Sequence, residues 1–213
     1  MAIIIDPRLS RHAVDAAGKW TGSVVKVLDV NAVQSKWGKP ALAAGAPYYR
    51  ISLLQFLDEN EAAGDTNIHV SVWANGMSVM PARVWHAWPT AKMTAPSWDG
   101  AFDNGSHGEG QVFTYASGQG SIGQGGNHGF NPAPGSTEPG CYLVSAFGLP
   151  SECAYGFDLP ANRHVAYVVA FEQAVYGQVD PDPTPDPTPT PSGCAEMLGL
   201  LGKLLTQLGT QKG

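Results

Sequence analysis

From residue 46 to residue 175 the chain carries only short apolar runs. Each is closed by Gly, Pro or Asn, and none repeats at helical spacing. This punctuation constrains the fold more than any other feature, because it leaves room for strands and tight turns and little else. Ile68-His69-Val70-Ser71-Val72-Trp73 alternates with period two and puts Ile68, Val70 and Val72 on one face. Asn75-Gly76 follows, the strongest short hairpin signal in the chain, and residues 79–88 read as the return strand, ended by Pro89. Residues 48–57, 141–147 and 164–171 read as further strands, the last with Val165, Tyr167, Val169 and Phe171 on one face. The expectation is an all-β fold, an antiparallel β-sandwich.

Composition agrees. The 213 residues include 26 Gly and 17 Pro, which argue against a helical bundle, while 20 aromatics (7 Phe, 6 Trp, 7 Tyr) need a core to bury them. Residues 1–45 mix short apolar runs with Gly and Ala and are expected to form an N-terminal arm with one strand at 24–30. Residues 46–177 are the sandwich module. Inside it, residues 99–140 hold 12 Gly and are expected to form a long loop with one short strand near 111–115. Residues 178–193 are a Pro-rich linker, with Pro at every second position from Pro181 to Pro191, an extended spacer of roughly 50 Å. Residues 194–213 carry the only good helical stripe, Met197, Leu201, Leu204 and Leu208, and are expected to form a short amphipathic helix. Too short to be stable alone, such a helix is expected to oligomerise or to dock into a larger assembly.

Charge narrows the partners. The net charge is −6, and no Lys or Arg occurs between Lys92 and Arg163. Nucleic-acid binding needs a basic footprint, so no nucleic-acid partner is expected. No apolar run approaches the length of a membrane span, and Met1 to Pro7 lacks the layout of a secretory signal. Cys141 and Cys153 flank a strand-like run; they are read either as buried free thiols or as a cross-strand bridge. Cys194 is read as free or intermolecular.

A resemblance is carried by residues 49–70 (Tyr49-Arg50-Ile51-Ser52-Leu53-Leu54-Gln55-Phe56-Leu57-Asp58-Glu59-Asn60-Glu61 and onward to Ile68-His69-Val70), by Asn75-Gly76 and by Trp88-Pro89. Gly140-Cys141-Tyr142-Leu143-Val144, Gly148-Leu149-Pro150, Gly156-Phe157-Asp158-Leu159-Pro160 and Arg163-His164-Val165-Ala166-Tyr167 continue it. Together, over residues 48–172, the chain resembles the Ig-like β-sandwich accessory modules that accompany bacterial and phage cell-wall hydrolases and phage surface proteins. The resemblance implies an Ig-like or jelly-roll-like sandwich and a non-catalytic, carbohydrate- or surface-associated role. No hydrolase domain is read beside the module. The expectation is therefore a virion or cell-surface protein that displays the sandwich for attachment, with a surface glycan as partner. The alternatives are a capsid-decorating or fibre protein making protein contacts only, and an accessory subunit of a wall hydrolase.

No nucleophile elbow, metalloprotease motif, phosphate loop or Cys-x-x-Cys pair is present, so no catalytic set, metal or cofactor is expected. The acidic turn Asp58-Glu59 with Glu61, and separately Asp99, Asp103 and Asn104, leave Ca²⁺ as the alternative. Candidate ligand-binding residues are aromatic. Trp73, Trp85 and Trp98 fall with Trp88 in a 26-residue stretch, and Trp73 shares parity with the polar residues His69 and Ser71. An exposed indole offers a flat apolar surface with an N–H at its edge, suited to stacking on a sugar; the other reading is that these residues fill the core. His107, Asn127 and His128 in the Gly-rich loop are candidates for a polar binding surface, whereas His69 and His164 are read as surface or cross-strand partners.

Overall fold

The structure is a computed structural model that describes residues 3–89, 107–114, 120–123, 133–140, 142–159 and 163–178. Its strands are β1 (Ile4–Ile5), β2 (Ser10–Val14), β3 (Trp20–Val24), β4 (Lys26–Leu28), β5 (Pro47–Leu57), β6 (Asn67–Ala74), β7 (Met77–Ser78), β8 (Arg83–Pro89), β9 (His107–Phe113), β10 (Gly120–Gly123), β11 (Tyr142–Ala146), β12 (Cys153–Phe157) and β13 (Ala166–Val175), with one helix, α1 (Val30–Lys36). Two sheets result. The first runs β1-β5-β13-β6-β10, with β7 hairpinned onto β6; the second runs β4-β12-β11-β8-β9. A separate β2-β3 hairpin completes the set.

The inward faces follow from the alternation. Ile68, Val70 and Val72 of β6 meet Tyr167, Val169 and Phe171 of β13, all buried, and both pack with Val84, Val144 and Ala154 of the second sheet in one core. On β5 the alternation slips: Ile51 and Leu54 both face inward because the register against β13 shifts at Phe171/Ala170 and leaves Ser52 as an extra residue. Tyr167 sits at the centre, with ring centroids 5.5 Å from Phe56 and 5.0 Å from Phe157. Its hydroxyl shares a 2.7 Å hydrogen bond with Ser23 and donates to the Asp158 carbonyl.

The all-β sandwich is thus present, with several departures from expectation. The first sheet is mixed: β13 runs parallel to β6, and β1 parallel to β5. The β6 turn at Asn75-Gly76, both with positive φ, returns only two residues of chain. Pro81 has no N–H for a ladder, and the chain crosses to the second sheet as β8 instead of continuing the hairpin. Buried Thr114 closes this crossing: its hydroxyl donates to the Val79 carbonyl and accepts from the Ala82 N–H. Among its described residues the Gly-rich segment supplies two strands where one was expected, and they go to different sheets: β9 borders β8, and β10 borders β6.

The first 45 residues are built into the sandwich, contrary to the expected arm. β1 pairs with β5, β4 pairs with β12, and Leu9, Trp20 and Val25 join the main core. Arg8 anchors the segment, with two-pronged bonds to Asp6, a bond to the Phe56 carbonyl and one to Glu61. The expected strand at 24–30 is broken at both ends. Val25 separates β3 from β4, and Asp29 starts α1 by accepting from the N–H groups of Asn31 and Ala32. Val33 of α1 packs on Trp85, Ala87, Leu143 and Cys153, whose neighbours Val84, Val144 and Ala154 point to the core. The helix therefore covers the outer face of the second sheet. Cys153 lies there as a buried free thiol, raised well above the usual thiol range by burial. Cys141, the linker and the expected C-terminal helix with Met197, Leu201, Leu204 and Leu208 lie outside the described residues.

Candidate functional site

Where α1 stops covering the second sheet, a cleft opens. It measures about 800 Å³, within the range of small-molecule sites. One wall is the end of α1 with residues 37–42; the floor includes Trp85 of β8; the other wall is the end of β11 and the turn 147–151.

Each wall is held by polar contacts that the sequence supplies locally. Asn31 on α1 donates from its amide to the Tyr176 hydroxyl (2.6 Å) and accepts from the Leu42 N–H (2.8 Å), which fixes the segment after the helix. Trp37 ends the helix, its N–H on the carbonyls of Val33 and Gln34, and the Lys39 N–H also bonds to the Gln34 carbonyl. The opposite turn passes through Gly148, whose φ of 110° disfavours a side chain. It is then clamped to β5: the Tyr49 N–H donates to the Pro150 carbonyl, the Glu152 N–H to the Tyr49 carbonyl, and the Ile51 N–H to the Glu152 carboxylate. Ser145 and Ser151 both donate to the Glu152 carbonyl.

Aromatic surface dominates this frame. Trp37 is 41% exposed and stands edge-on to buried Trp85, centroids 5.3 Å apart at 66°. Across the cleft Phe147 is 45% exposed, with the Arg83 guanidinium 4.1 Å from its ring centre. Among the described residues lining the cleft, Lys39 carries the one charged side chain, and none is a carboxylate, imidazole or thiol. Burial pushes the Glu152 carboxyl up, and its bond to the Ile51 N–H ties it to β5. The lining thus offers stacking surfaces, one cation and hydroxyl and amide groups. Such surfaces and groups are of the kind that orient a small-molecule ligand.

The candidate residues separate accordingly. Trp85 is in the cleft, as its buried floor. Trp73 is 38% exposed but lies on the outer face of the first sheet, its indole N–H given to the Ser71 hydroxyl, so the two tryptophans face opposite sides of the sandwich. His107 begins β9, opposite Pro89. Trp98, Asn127 and His128 lie outside the described residues. Sequence reading missed Trp37, Lys39 and Phe147. The available signal was Trp37-Gly38-Lys39-Pro40, a helix stop that presents an aromatic residue.

Two other clusters invite chemistry. Asp65, His69 and Ser121 are connected in series: His69 bonds the Asp65 carboxylate through Nε2 and the Ser121 hydroxyl through Nδ1 (3.1 Å). This has the connectivity of a nucleophile, base and orienting acid. Yet Ser121 is exposed, on the edge strand β10 directly across from His69, and lies outside the cleft. The cluster ties that edge to β6. Burial raises the Asp65 carboxyl, but hydrogen bonds from His69 and Asn67 outweigh it and leave the group below its ordinary range. The acidic turn is likewise occupied by the chain itself. Asp58 accepts from the N–H groups of Asn60 and Glu61, Glu61 accepts from Arg8, and Glu59 accepts from the Trp20 N–H and from Arg163. These bonds engage one oxygen of each of the three carboxylates within the chain. Among the described residues no group of three or more His, Cys, Asp or Glu could hold a metal, and no helix is long and apolar enough to cross a membrane. Asp99, Asp103 and Asn104 lie outside the described residues.

Comparison with protein-family models, with curated proteins and with solved structures finds no match to the chain.

Proposed function

We propose that this chain is a non-catalytic attachment protein of a virion or cell surface, and that it binds a surface glycan through the cleft beside α1. The observation that carries the reading is the cleft's lining: an exposed indole with a second indole beneath it, and hydroxyl and amide groups around them. A sugar ring presents an apolar face that stacks on such a surface and hydroxyls that bond to such groups. In this reading the sandwich is of the Ig-like or jelly-roll-like type, the proline-rich segment 178–193 is a display spacer, and residues 194–213 self-associate or dock.

A glycan array probed with the full chain tests it. Binding to a defined saccharide that is lost in Trp37→Ala is the expected result. No binding to any glycan overturns the attachment reading. One observation favours a second reading, a purely architectural protein: β1 edges the first sheet, and Ile3, Ile4 and Ile5 are all at least half exposed. An apolar sheet edge is a site for contact with another chain. Cryo-microscopy of an assembled particle would favour this reading if that edge were buried and the cleft were blocked by a neighbour.

A further inference from the structure

We infer that a small cavity between the β2-β3 hairpin and the core binds one water molecule, which joins the imidazole Nδ1 of His12 to the hydroxyl of Ser23 and the carboxyl of Asp158.

The cavity measures about 10 Å³, room for one water molecule. His12 of β2, Ser23 of β3, Tyr167 of β13 and Asp158, which follows β12, bring polar groups to its lining, and all four residues are buried. Donors and acceptors can be assigned one by one. The Glu138 carbonyl lies 2.8 Å from His12 Nε2, and a carbonyl only accepts, so Nε2 carries the proton. Burial disfavours a second proton on this ring, which leaves Nδ1 as an acceptor. That nitrogen is buried and has no hydrogen-bond partner in the protein. Such an orphan is costly unless a donor reaches it.

The neighbouring protons are committed. The Tyr167 hydroxyl donates to the Asp158 carbonyl (3.0 Å), so its 2.7 Å bond with Ser23 takes the serine's proton. Ser23 Oγ therefore has no proton to give His12, but it keeps lone pairs that can accept. Among the described residues no group bonds the Asp158 carboxyl, and burial raises it to about 7. In its protonated form it is an O–H donor. The lining thus holds two acceptors, His12 Nδ1 and Ser23 Oγ, and one donor, Asp158, with no direct bond among them. A water molecule completes the set. It donates to both acceptors and receives from Asp158, about three bonds, the usual number for a buried water. Trp20 closes the site against the His12 ring, edge-on at 5.4 Å. The water so placed ties the β2-β3 hairpin to the end of β12.

Nuclear magnetic resonance of the full chain at about pH 6.5 tests this, a pH at which burial keeps the His12 ring neutral and Asp158 largely protonated. The expected spectrum shows His12 in its Nε2–H form, with the Nδ1 resonance moved from the free-imine position towards the hydrogen-bonded one. It also shows Overhauser effects between water and protons of Ser23 and Trp20, with the sign that marks a long-lived molecule. Asp158→Leu, which removes the donor at similar size, should lose both signals, and Asp158→Asn, whose amide donates, should keep them. A free-imine Nδ1 without a long-lived water signal in the parent chain would overturn the proposal. Occupancy is read on the parent, so that outcome does not depend on Asp158→Leu folding. Both signals persisting unchanged in a folded Asp158→Leu would overturn Asp158 as the water's partner.

Discussion

The most informative single residues are those the fold buries with a charge or hydrogen-bonding capacity. Asp158 is one. Burial raises its carboxyl from 3.8 to about 7, so the folded chain holds the proton more tightly than the unfolded chain. Between those values the folded state binds more protons, and stability falls as pH rises, levelling above about pH 7. The displacement corresponds to at most about 4 kcal/mol. Asp158→Asn should therefore melt close to the parent at about pH 4 and clearly above it at about pH 8. A pH-independent difference in melting temperature would contradict this. His12 works in the opposite sense. Its buried ring is lowered by burial, partly offset by its bond to the Glu138 carbonyl, so its contribution is lost as pH falls through the acid range. His12 is common to both proteins, so the comparison isolates Asp158. Arg8 is the second test. Its bonds to Asp6, Glu61 and the Phe56 carbonyl join the amino-terminal segment to β5, and Arg8→Ala should cost about 2 kcal/mol in denaturant unfolding. A change within the error of the measurement would show that this segment is held by its apolar contacts alone.

At the scale of elements, legibility depended on side-chain alternation. Strands β5, β6, β11 and β13 were readable from their Ile, Leu, Val, Phe and Tyr content, and the inward residues that the pattern named on β6 and β13 are buried in the core. Of β9 only the stretch after Gly110 was readable, and β10 was not read, since Gly108, Gly110, Gly120 and Gly123 have no side chain to alternate. The amino-terminal strands are two to five residues long, too short for a period to show. Helix α1 covers only two turns, and its first residue, Val30, ends a β-branched run. The site suffered most from this. Trp85 was named from its own stretch, but Trp37 and Lys39 reach it from a segment 46 to 48 residues earlier, and no spacing rule connects them. Asp29 offers a test of that element. Asp29→Ala removes the N-cap, should cost about 1 kcal/mol of stability, and should weaken saccharide binding by loosening the cleft wall. Normal affinity with reduced stability would show that the wall does not depend on the cap.

Among the described residues the sandwich has one outer face partly covered by α1 and no helix on the other. That asymmetry matters for function. The outer face of the first sheet presents Trp73, an exposed indole with its N–H already bonded to Ser71. The covered face presents a cleft with aromatic and polar walls. Two exposed tryptophans thus make competing claims on the same ligand. A pocket with opposed walls removes more of a sugar's surface from water than a flat face does, which favours the cleft. The direct test is a titration of one saccharide, taken from the glycan array, against the full chain and against Trp37→Ala and Trp73→Ala. The cleft assignment predicts a loss of about tenfold or more in affinity for Trp37→Ala and near-parental affinity for Trp73→Ala. Loss of binding in Trp73→Ala with Trp37→Ala unchanged would contradict it and move the site to the opposite face of the sandwich.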